Sequence, residues 1–593
     1  MRFILGGYIG KILKVNLTSG KINETTLDES FFRKWFGGYG LGSRIIYNDI
    51  PSKTDSLGPE NVLGLTTGIL TGTPALFSGS FTAVGKSPLT GTWGDARGGG
   101  FFGPELKFAG FDAVFIYGKS KRPAYLWIND GKAEIIDASD LWGRTVSETE
   151  DMLKEKHKEK RVQVASIGPS GEKLSLISAI MTDKERAAAR SGLGAVMGSK
   201  NLKAVAVRGT GKIPVADMNK LLELRKETVD KMKKAMMFGM FSKYGTSAGA
   251  TFSAFNGDSP VKNWAGVGKE DFPTATNLSG DNVIKYKTGP YGCFGCVLAC
   301  GGHEKVESGP YAVEDHKPEY ETLAAFGSML LNDNLESIIY LNHICNNYGL
   351  DTISVGSTIA FAIECYENGI ITKDDTGGIE LGWGKHKVIV EMTEKLAKRE
   401  GFGNILADGV KVAAEKIGKG SEKYAMHVGG QEIPMHDPRL ITMPYNKTRA
   451  FMYLADATPG RHTQNPHEGF AMQATGVCMF GGFMGYDVLP SINAVTGWNV
   501  TSSDMRIVGD RIATMRQAFN VREGFKLSDF KYPDRVLGKP PLKSGPLANV
   551  TIHPEVQVAE YFKSMDWDLN TGKPTRNKLI ELGLEDVAKD LWE

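Results

Sequence analysis

Apolar residues set among lysines and an asparagine make Ile9-Gly-Lys-Ile-Leu-Lys-Val-Asn-Leu17 β-rich, a pattern that predicts a strand. Thr18-Ser-Gly20 follows as a turn signal before another short strand. The same reading predicts strands at Asp112–Tyr117, Ala124–Asn129 and Val162–Ile167. Short glycine loops lie among them: Gly37-Gly-Tyr-Gly-Leu-Gly42, Arg97-Gly98-Gly99-Gly100 and Arg190-Ser191-Gly192-Leu-Gly194. Lys212–Asp217 reads as a linker, and beyond it the period becomes helical. Leu335, Ile338, Ile339 and Ile344 share one helix face, and Gly349 suits its C-terminal cap. Asp351 is placed to cap a second helix running to Gly369, and Val388–Arg399 fits another that ends near Gly401. A softer boundary falls near Gly418–Lys423. Pro540-Pro-Leu-Lys-Ser-Gly-Pro546 reads as a surface loop before a final helical segment. No internal repeat is present.

Length and composition then narrow the class. A chain of 593 residues is expected to form about two to four domains. With 70 basic and 68 acidic side chains nearly cancelling, no net field points to nucleic acid or an anionic membrane. No run of about eighteen apolar residues predicts a membrane span, and no leader is read at the N-terminus. Glycine is unusually common: 72 residues, about 12% of the chain against a usual ~7%. Six cysteines, half of them in one cluster, do not form a disulfide framework, so a reducing cytoplasm is the expected compartment.

That cluster is Cys293-Phe-Gly-Cys296-Val-Leu-Ala-Cys300. A tight loop with this spacing aims three thiolates at one region, as iron–sulfur clusters require and many zinc sites also do. A fourth ligand must come from elsewhere; Cys345, Cys365, Cys478 and, for zinc, His303 are candidates. Cys345 and Cys365 read most simply as buried helical thiols. Arg97 with Gly98, Gly99 and Gly100, and Arg190 with Ser191, Gly192 and Gly194, set a guanidinium beside open backbone amides. Such loops cradle phosphate, or equally serve as sharp turns. The Gly192-Leu-Gly194-x3-Gly198 spacing is wrong for a dinucleotide loop, and no convincing strand feeds it. Pro318-Glu-Tyr-Glu321 sets carboxylates about twenty residues after the cysteines, as a general base or a solvated helix start. His462 lies in the polar turn Asp456-Ala-Thr-Pro-Gly-Arg-His462, either facing a pocket or as a structural hydrogen-bonding residue.

Taken in order, these motifs resemble the aldehyde:ferredoxin oxidoreductase family of tungstopterin enzymes along essentially the whole chain. The carriers are Lys86-Ser-Pro-Leu-Thr-Gly91, Phe102-Gly-Pro-Glu-Leu-Lys-Phe-Ala-Gly110, Gly194-Ala-Val-Met-Gly-Ser-Lys-Asn-Leu-Lys-Ala204, the tricysteine loop, Pro318-Glu-Tyr-Glu321 and Tyr348-Gly-Leu-Asp-Thr-Ile-Ser354. The resemblance implies an α+β fold: an N-terminal double β-sheet base that binds a bis-pterin metal cofactor, then two mainly helical domains. The expected divisions are 1–212, 213–424 and 425–593. It also implies that Cys478 completes a [4Fe-4S] cluster with Cys293, Cys296 and Cys300. One pterin motif corresponds to Asn346 through Gly349, Leu350 and Asp351, and the other to Gln473 through Gly476, Val477 and Cys478. Glu321 and His462 match the family's two residues near the metal.

Several positions depart from the family pattern. Asn346 and Gln473 replace aspartates that grip the pterins, which changes hydrogen-bond polarity. Arg97 stands where an asparagine helps hold Mg2+ between pterin phosphates in some relatives. Ser80 replaces a phosphate-binding arginine, so the positive charge is expected to have moved from 80 to 97. Tyr340 replaces the glutamate of a subunit-bridging Glu-x-x-His iron site, although His343 remains, so neither that metal nor its dimer is expected. The reaction implied is oxidation of an aldehyde by water to a carboxylic acid on tungsten or molybdenum. A ferredoxin or a polyferredoxin small subunit would accept the electrons, in a homo- or hetero-oligomer. Two alternatives stand beside it: a member adapted to reducing an aromatic thioester, and a zinc-stapled protein that binds a phosphorylated ligand.

Overall fold

The computed structural model describes residues 6–593. The absence of a leader was read partly from residues 1–5, which lie outside the described ones. Residues 11–208 build two six-stranded sheets. In spatial order the first contains Lys21–Thr26, Lys11–Asn16, Ala113–Tyr117, Leu63–Thr67, Phe81–Lys86 and Trp93–Gly98. The second contains Arg186–Ala188, Ile180–Thr182, Gln163–Ser166, Leu202–Arg208, Ala124–Asn129 and Lys132–Asp137. Because successive side chains point to opposite faces, Leu13 and Val15 enter a core shared by both sheets while Ile12 faces the larger helical core. Leu63 and Leu65 from the first sheet join Leu126, Ile128, Val205 and Val207 from the second in that shared core.

From Met218 onward the chain is mainly helical. Leu335–Tyr348 ends where Gly349 takes φ 71°, and Asp351 caps Thr352–Glu367 by accepting the Ile353 N–H at 3.1 Å. The predicted 388–399 helix begins two residues earlier, at His386, and ends at Lys398. A small sheet of Lys287–Tyr291, Gly301–Val306 and Val313–His316 was not foreseen, because its glycines and half-exposed positions give no clean alternation. It brackets the tricysteine segment. Among the described residues no helix is long and apolar enough to cross a membrane.

The sheets and the C-terminal helices meet at a buried ionic network. Arg516, on helix Ser502–Arg522, is fully buried and pairs with Asp95 at 2.8 Å and Asp456 at 2.7 Å. Asp95, on strand Trp93–Gly98, also accepts from Trp93 Nε1 at 2.8 Å, Thr458 Oγ1 at 2.6 Å and Gln464 Nε2 at 3.2 Å. Burial pushes the Asp95 carboxyl up, but Arg516, Arg461 and these donors outweigh it and hold it at about 2. On Asp456 burial and the facing Asp95 charge win over the guanidinium, and its carboxyl sits above the usual range.

Asp95→Asn removes the charge facing two buried guanidiniums and is expected to cost about 3–5 kcal/mol, read as a lower thermal midpoint. The folded value of Asp95 is depressed, so its stabilisation is complete above the usual 3.8 and fades as pH falls toward about 2. The acid-unfolding limb of the wild type therefore weakens in the variant. An unchanged midpoint and limb would refute the assignment.

Candidate redox site

A cavity of about 620 Å³ opens between the base and the helical regions. Its wall includes Cys293, Cys296, Cys300 and Cys478, with Glu321 and His462 in the same space. Backbone bonds bring the distant cysteines together. The Cys478 N–H donates to the Phe77 carbonyl at 2.9 Å, while the Phe77 N–H donates to the Gly295 carbonyl at 2.9 Å. Phe294 N–H donates to the Gly100 carbonyl at 3.2 Å, seating the tricysteine loop on the base. This seating requires glycine. A Cβ on Gly99 would stand 2.9 Å from Cys293 Sγ, and one on Gly79 would stand 2.9 Å from the Phe294 nitrogen.

Glu321 lies in the first turn of helix Tyr320–Phe326, so the helix start foreseen for Pro318-Glu-Tyr-Glu321 and an inward carboxylate are both present. Its Oε2 accepts the Met435 N–H at 2.8 Å. Its Oε1 has no hydrogen-bond partner and stands 3.5 Å from Nε2 of both His436 and His462. Burial drives Glu321 above the ordinary carboxylate range, opposed by His436, the Met435 amide, Arg449 and Arg190. The His462 imidazole moves well below its usual value, through burial first and then the charges of Arg449 and His436. The His462–Glu321 contact is therefore that of a neutral imidazole with a carboxyl group, not an ion pair.

The sequence-predicted binding residues separate into two layers. Arg97, Gly98, Gly99, Arg190, Asn346, Leu350, Asp351 and Gln473 line the cavity. Gly100, Ser191, Gly192, Gly194, Gly349, Gly476 and Val477 stand behind that lining. A Cβ on Gly192 or Gly194 would strike the Leu176 or Ala179 carbonyl, and one on Gly476 would strike Thr71, so these positions allow close backbone approach. A short strand, Arg186–Ala188, does lead into the Arg190 loop; three residues were too few to recognise from pattern. Arg97 donates to the Val477 carbonyl beside Cys478. Arg190 pairs with Asp351 at 3.2 Å and donates to the Glu432 carbonyl at 2.5 Å. Asn346 Nδ2 donates to Asp315 Oδ1 at 3.1 Å, and Gln473 Nε2 to the Thr463 carbonyl at 3.0 Å. Outside the cavity, His343 is engaged with Asp315 at 2.6 Å, beside Tyr340.

Unpaired donors test whether this lining suits an anionic cofactor. Among the described residues, Arg190 Nη1 and Arg186 Nε are buried without hydrogen-bond partners, whereas Arg190 Nε faces Asp351 at 3.2 Å. Each such group costs about 1–3 kcal/mol, a cost that an anion bound in the cavity removes. Arg186 also lies over the Tyr291 ring, its centroid 4.2 Å away, and puts positive charge beside Cys293 and Cys300. Burial raises the thiols of Cys296, Cys300 and Cys478, the last to about 11. Metal binding would then release their protons. Buried cationic donors and four thiols lining one cavity suit a phosphate-bearing cofactor and a multi-iron cluster, although among the described residues no three ligands stand close enough to hold a single metal ion.

Sequence reasoning did not find His436, Asp258 or Arg449. His436 Nδ1 lies 2.9 Å from Asp258 Oδ2, a partner 178 residues away, and its ring stacks on Tyr320 at 4.7 Å. Arg449 packs on Tyr445, with Nη1 and Nη2 unpartnered, and Nε donates to the His462 carbonyl at 3.4 Å. No local motif announces any of the three.

Residues 12–209 match the family description "Aldehyde ferredoxin oxidoreductase, N-terminal domain", and residues 223–584 match "Aldehyde ferredoxin oxidoreductase, domains 2 & 3". The tungsten-containing aldehyde ferredoxin oxidoreductase of Pyrococcus abyssi (strain GE5 / Orsay) is 39% identical, over 98% of this chain and 99% of its own. The aliphatic sulfonate oxidoreductase, WOR-like subunit, of Pyrococcus furiosus (strain ATCC 43587 / DSM 3638 / JCM 8422 / Vc1) is 32% identical over 98% of each chain. Among solved structures, the active site complex BamBC of benzoyl coenzyme A reductase with 1,5 dienoyl-CoA superposes with a TM-score of 0.83. It is 25% identical, covering 99% of this chain and 98% of that one.

Proposed function

The chain belongs to the aldehyde ferredoxin oxidoreductase family and is an oxidoreductase, and from that premise we propose that it oxidises aldehydes to carboxylic acids with a tungsten or molybdenum bis-pterin cofactor. Membership in an enzyme family sets aside the zinc-stapled binding protein. The observation that carries the reading is Glu321: a buried carboxyl with a free oxygen, between two imidazoles, in the cavity that all four candidate cluster cysteines line.

When bound, such a cofactor supplies two-electron oxidation, and a [4Fe-4S] cluster supplies a one-electron exit. In this reading Cys293, Cys296, Cys300 and Cys478 hold the cluster. Arg190, Asp351, Asn346 and Leu350 face one pterin; Gln473 and Arg97 face the other. Glu321 accepts a proton from the attacking water through Oε1. His462, neutral at working pH, donates a hydrogen bond to the aldehyde oxygen and stabilises charge as it develops there. A ferredoxin or polyferredoxin-type subunit is the proposed acceptor, in the cytoplasm. The fold shared with the benzoyl coenzyme A reductase complex supports a second reading, reduction of an aromatic thioester.

Anaerobically purified protein, expressed with both metals supplied, is expected to contain about four iron atoms and one tungsten or molybdenum per chain. It is expected to reduce a low-potential dye with aldehydes; activity confined to aromatic thioesters would favour the second reading. Glu321 must be ionised to accept a proton, and its folded value is raised. The acidic limb of kcat/KM therefore lies above that of a free glutamate, with activity rising as pH rises through it. Glu321→Gln removes this limb and lowers kcat by about 10²-fold or more at unchanged metal content. Full turnover in that variant would end the assignment.

Arg97→Ala tests whether positive charge has moved from position 80 to 97. Lower pterin and metal content per chain with an unchanged circular dichroism spectrum is expected. Undiminished occupancy would refute a cofactor-binding role for Arg97.

A further inference from the structure

Oxidation of an aldehyde by water, RCHO + H2O → RCOOH + 2H+ + 2e−, leaves two protons for every two electrons. An iron–sulfur acceptor removes electrons alone, so the protons need their own route out of a buried site. Glu321 is not that route by itself: among the described residues its one hydrogen bond is from the Met435 amide, which accepts nothing, and Oε1 is buried without a partner.

His436 is arranged to take the proton onward. Its Nδ1 is 2.9 Å from Asp258 Oδ2 and its Nε2 is 3.5 Å from Glu321 Oε1. Asp258 is itself held in place, with Asn446 Nδ2 donating to Oδ1 at 2.7 Å and Ser253 Oγ to Oδ2 at 3.1 Å. Burial pushes Asp258 up, but the His436 bond and charge, with Asn446 and Arg449, hold it below the ordinary range. With the Nδ1–H given to Asp258, Nε2 faces Glu321 Oε1 and carries the lone pair when the ring is neutral. The other groups facing the ring are neutral His462 (centroids 5.7 Å apart), Tyr320 stacked beneath it and Tyr445 edge-on at 5.9 Å. Arg449, packed on Tyr445, is the nearby cation. The His436 side chain lines the cavity and is 16% exposed, much as Glu321 is at 15%, but the Glu321 Oε1 atom itself is shut off from solvent.

We propose that Asp258 and His436 form a proton relay that drains Glu321 after each oxidation. In the step, the Glu321 Oε1–H bond breaks as the His436 Nε2–H bond forms. Glu321 returns to carboxylate, and the imidazolium is stabilised by Asp258. The imidazolium then gives its Nε2 proton to cavity water while Asp258 keeps Nδ1–H, and the transfer runs a second time for the second proton as the two electrons leave through the iron–sulfur acceptor. The arrangement follows the logic by which a buried carboxylate orients and charges an imidazole in hydrolytic triads. It rests on the reading of Glu321 as proton acceptor.

The test uses metal-loaded holoenzyme. His436→Ala is expected to lower kcat by about 10²-fold with little change in KM, and added imidazole is expected to restore much of the loss. Asp258→Asn is expected to lower kcat similarly. Histidine-selective 15N labelling reads the tautomer without any substrate: Nδ1–H in the wild type, shifting to Nε2–H in Asp258→Asn. The relay is overturned by an undiminished kcat in His436→Ala, by a loss that imidazole leaves untouched, or by an Nε2–H tautomer in the wild type. Failure of the aldehyde reading looks different, because the wild-type enzyme would then turn over no aldehyde at all.

Discussion

Arg516 carries a charge into a place with no water, and much of the architecture around the cavity follows from its need for partners. An unpaired guanidinium there would cost several kcal/mol, so Asp95 and Asp456 must both be present and correctly placed. Asp95 belongs to a base strand and Asp456 opens the turn that leads to His462. Thr458 and Arg461, within that turn, also reach Asp95. The residue before His462 is thus anchored to the strand that two positions later presents Arg97 to the cavity. Geometry of the site is inherited from the network, not from the loop alone.

Within the cavity, burial acts on neighbouring groups in opposite directions. It raises Glu321 toward the protonated form and lowers His462 toward the neutral form. Divergent pairs of this kind divide acid and base work between adjacent residues. Arg449 moderates one shift and adds to the other, since its charge stabilises a carboxylate and disfavours an imidazolium. A single buried arginine, far from any recognisable motif, therefore acts on both groups.

What could be read from the chain was what is local in it. Cys293, Cys296 and Cys300 sit within one turn-sized loop, and Leu335–Tyr348 carries its own period and its own glycine stop. Such signals need no tertiary information. Ala124–Asn129 was legible because its apolar run stands between turn residues, whereas Lys287–Tyr291 was not, because glycine and proline blur its pattern. Cys478 was one of several possible fourth ligands and Glu321 one of two carboxylates near the cluster until the family resemblance singled them out. His436 and Asp258 stayed hidden because their relation is spatial: 178 residues separate them, and each alone looks like an ordinary polar residue near a turn.

Asn346 shows why a departure from a family pattern need not signal lost function. An aspartate is expected at this position, and the amide first reads as a weakened grip on a ligand. The reason lies one layer outward, in Asp315. That buried carboxylate already accepts from His343 at 2.6 Å and from Asn346 at 3.1 Å. An aspartate at 346 would set two buried carboxylates about 3 Å apart, and such a pair cannot both ionise. With asparagine, one amide hydrogen satisfies Asp315 and the carbonyl oxygen stays free to accept from the cavity side. The negative charge has in effect moved back by one residue layer, while the hydrogen-bond acceptor remains at the wall. The substitution and Asp315 are best understood together, since the carboxylate, already held by the His316 amide and His343, tolerates an amide at 346 and not a second carboxylate.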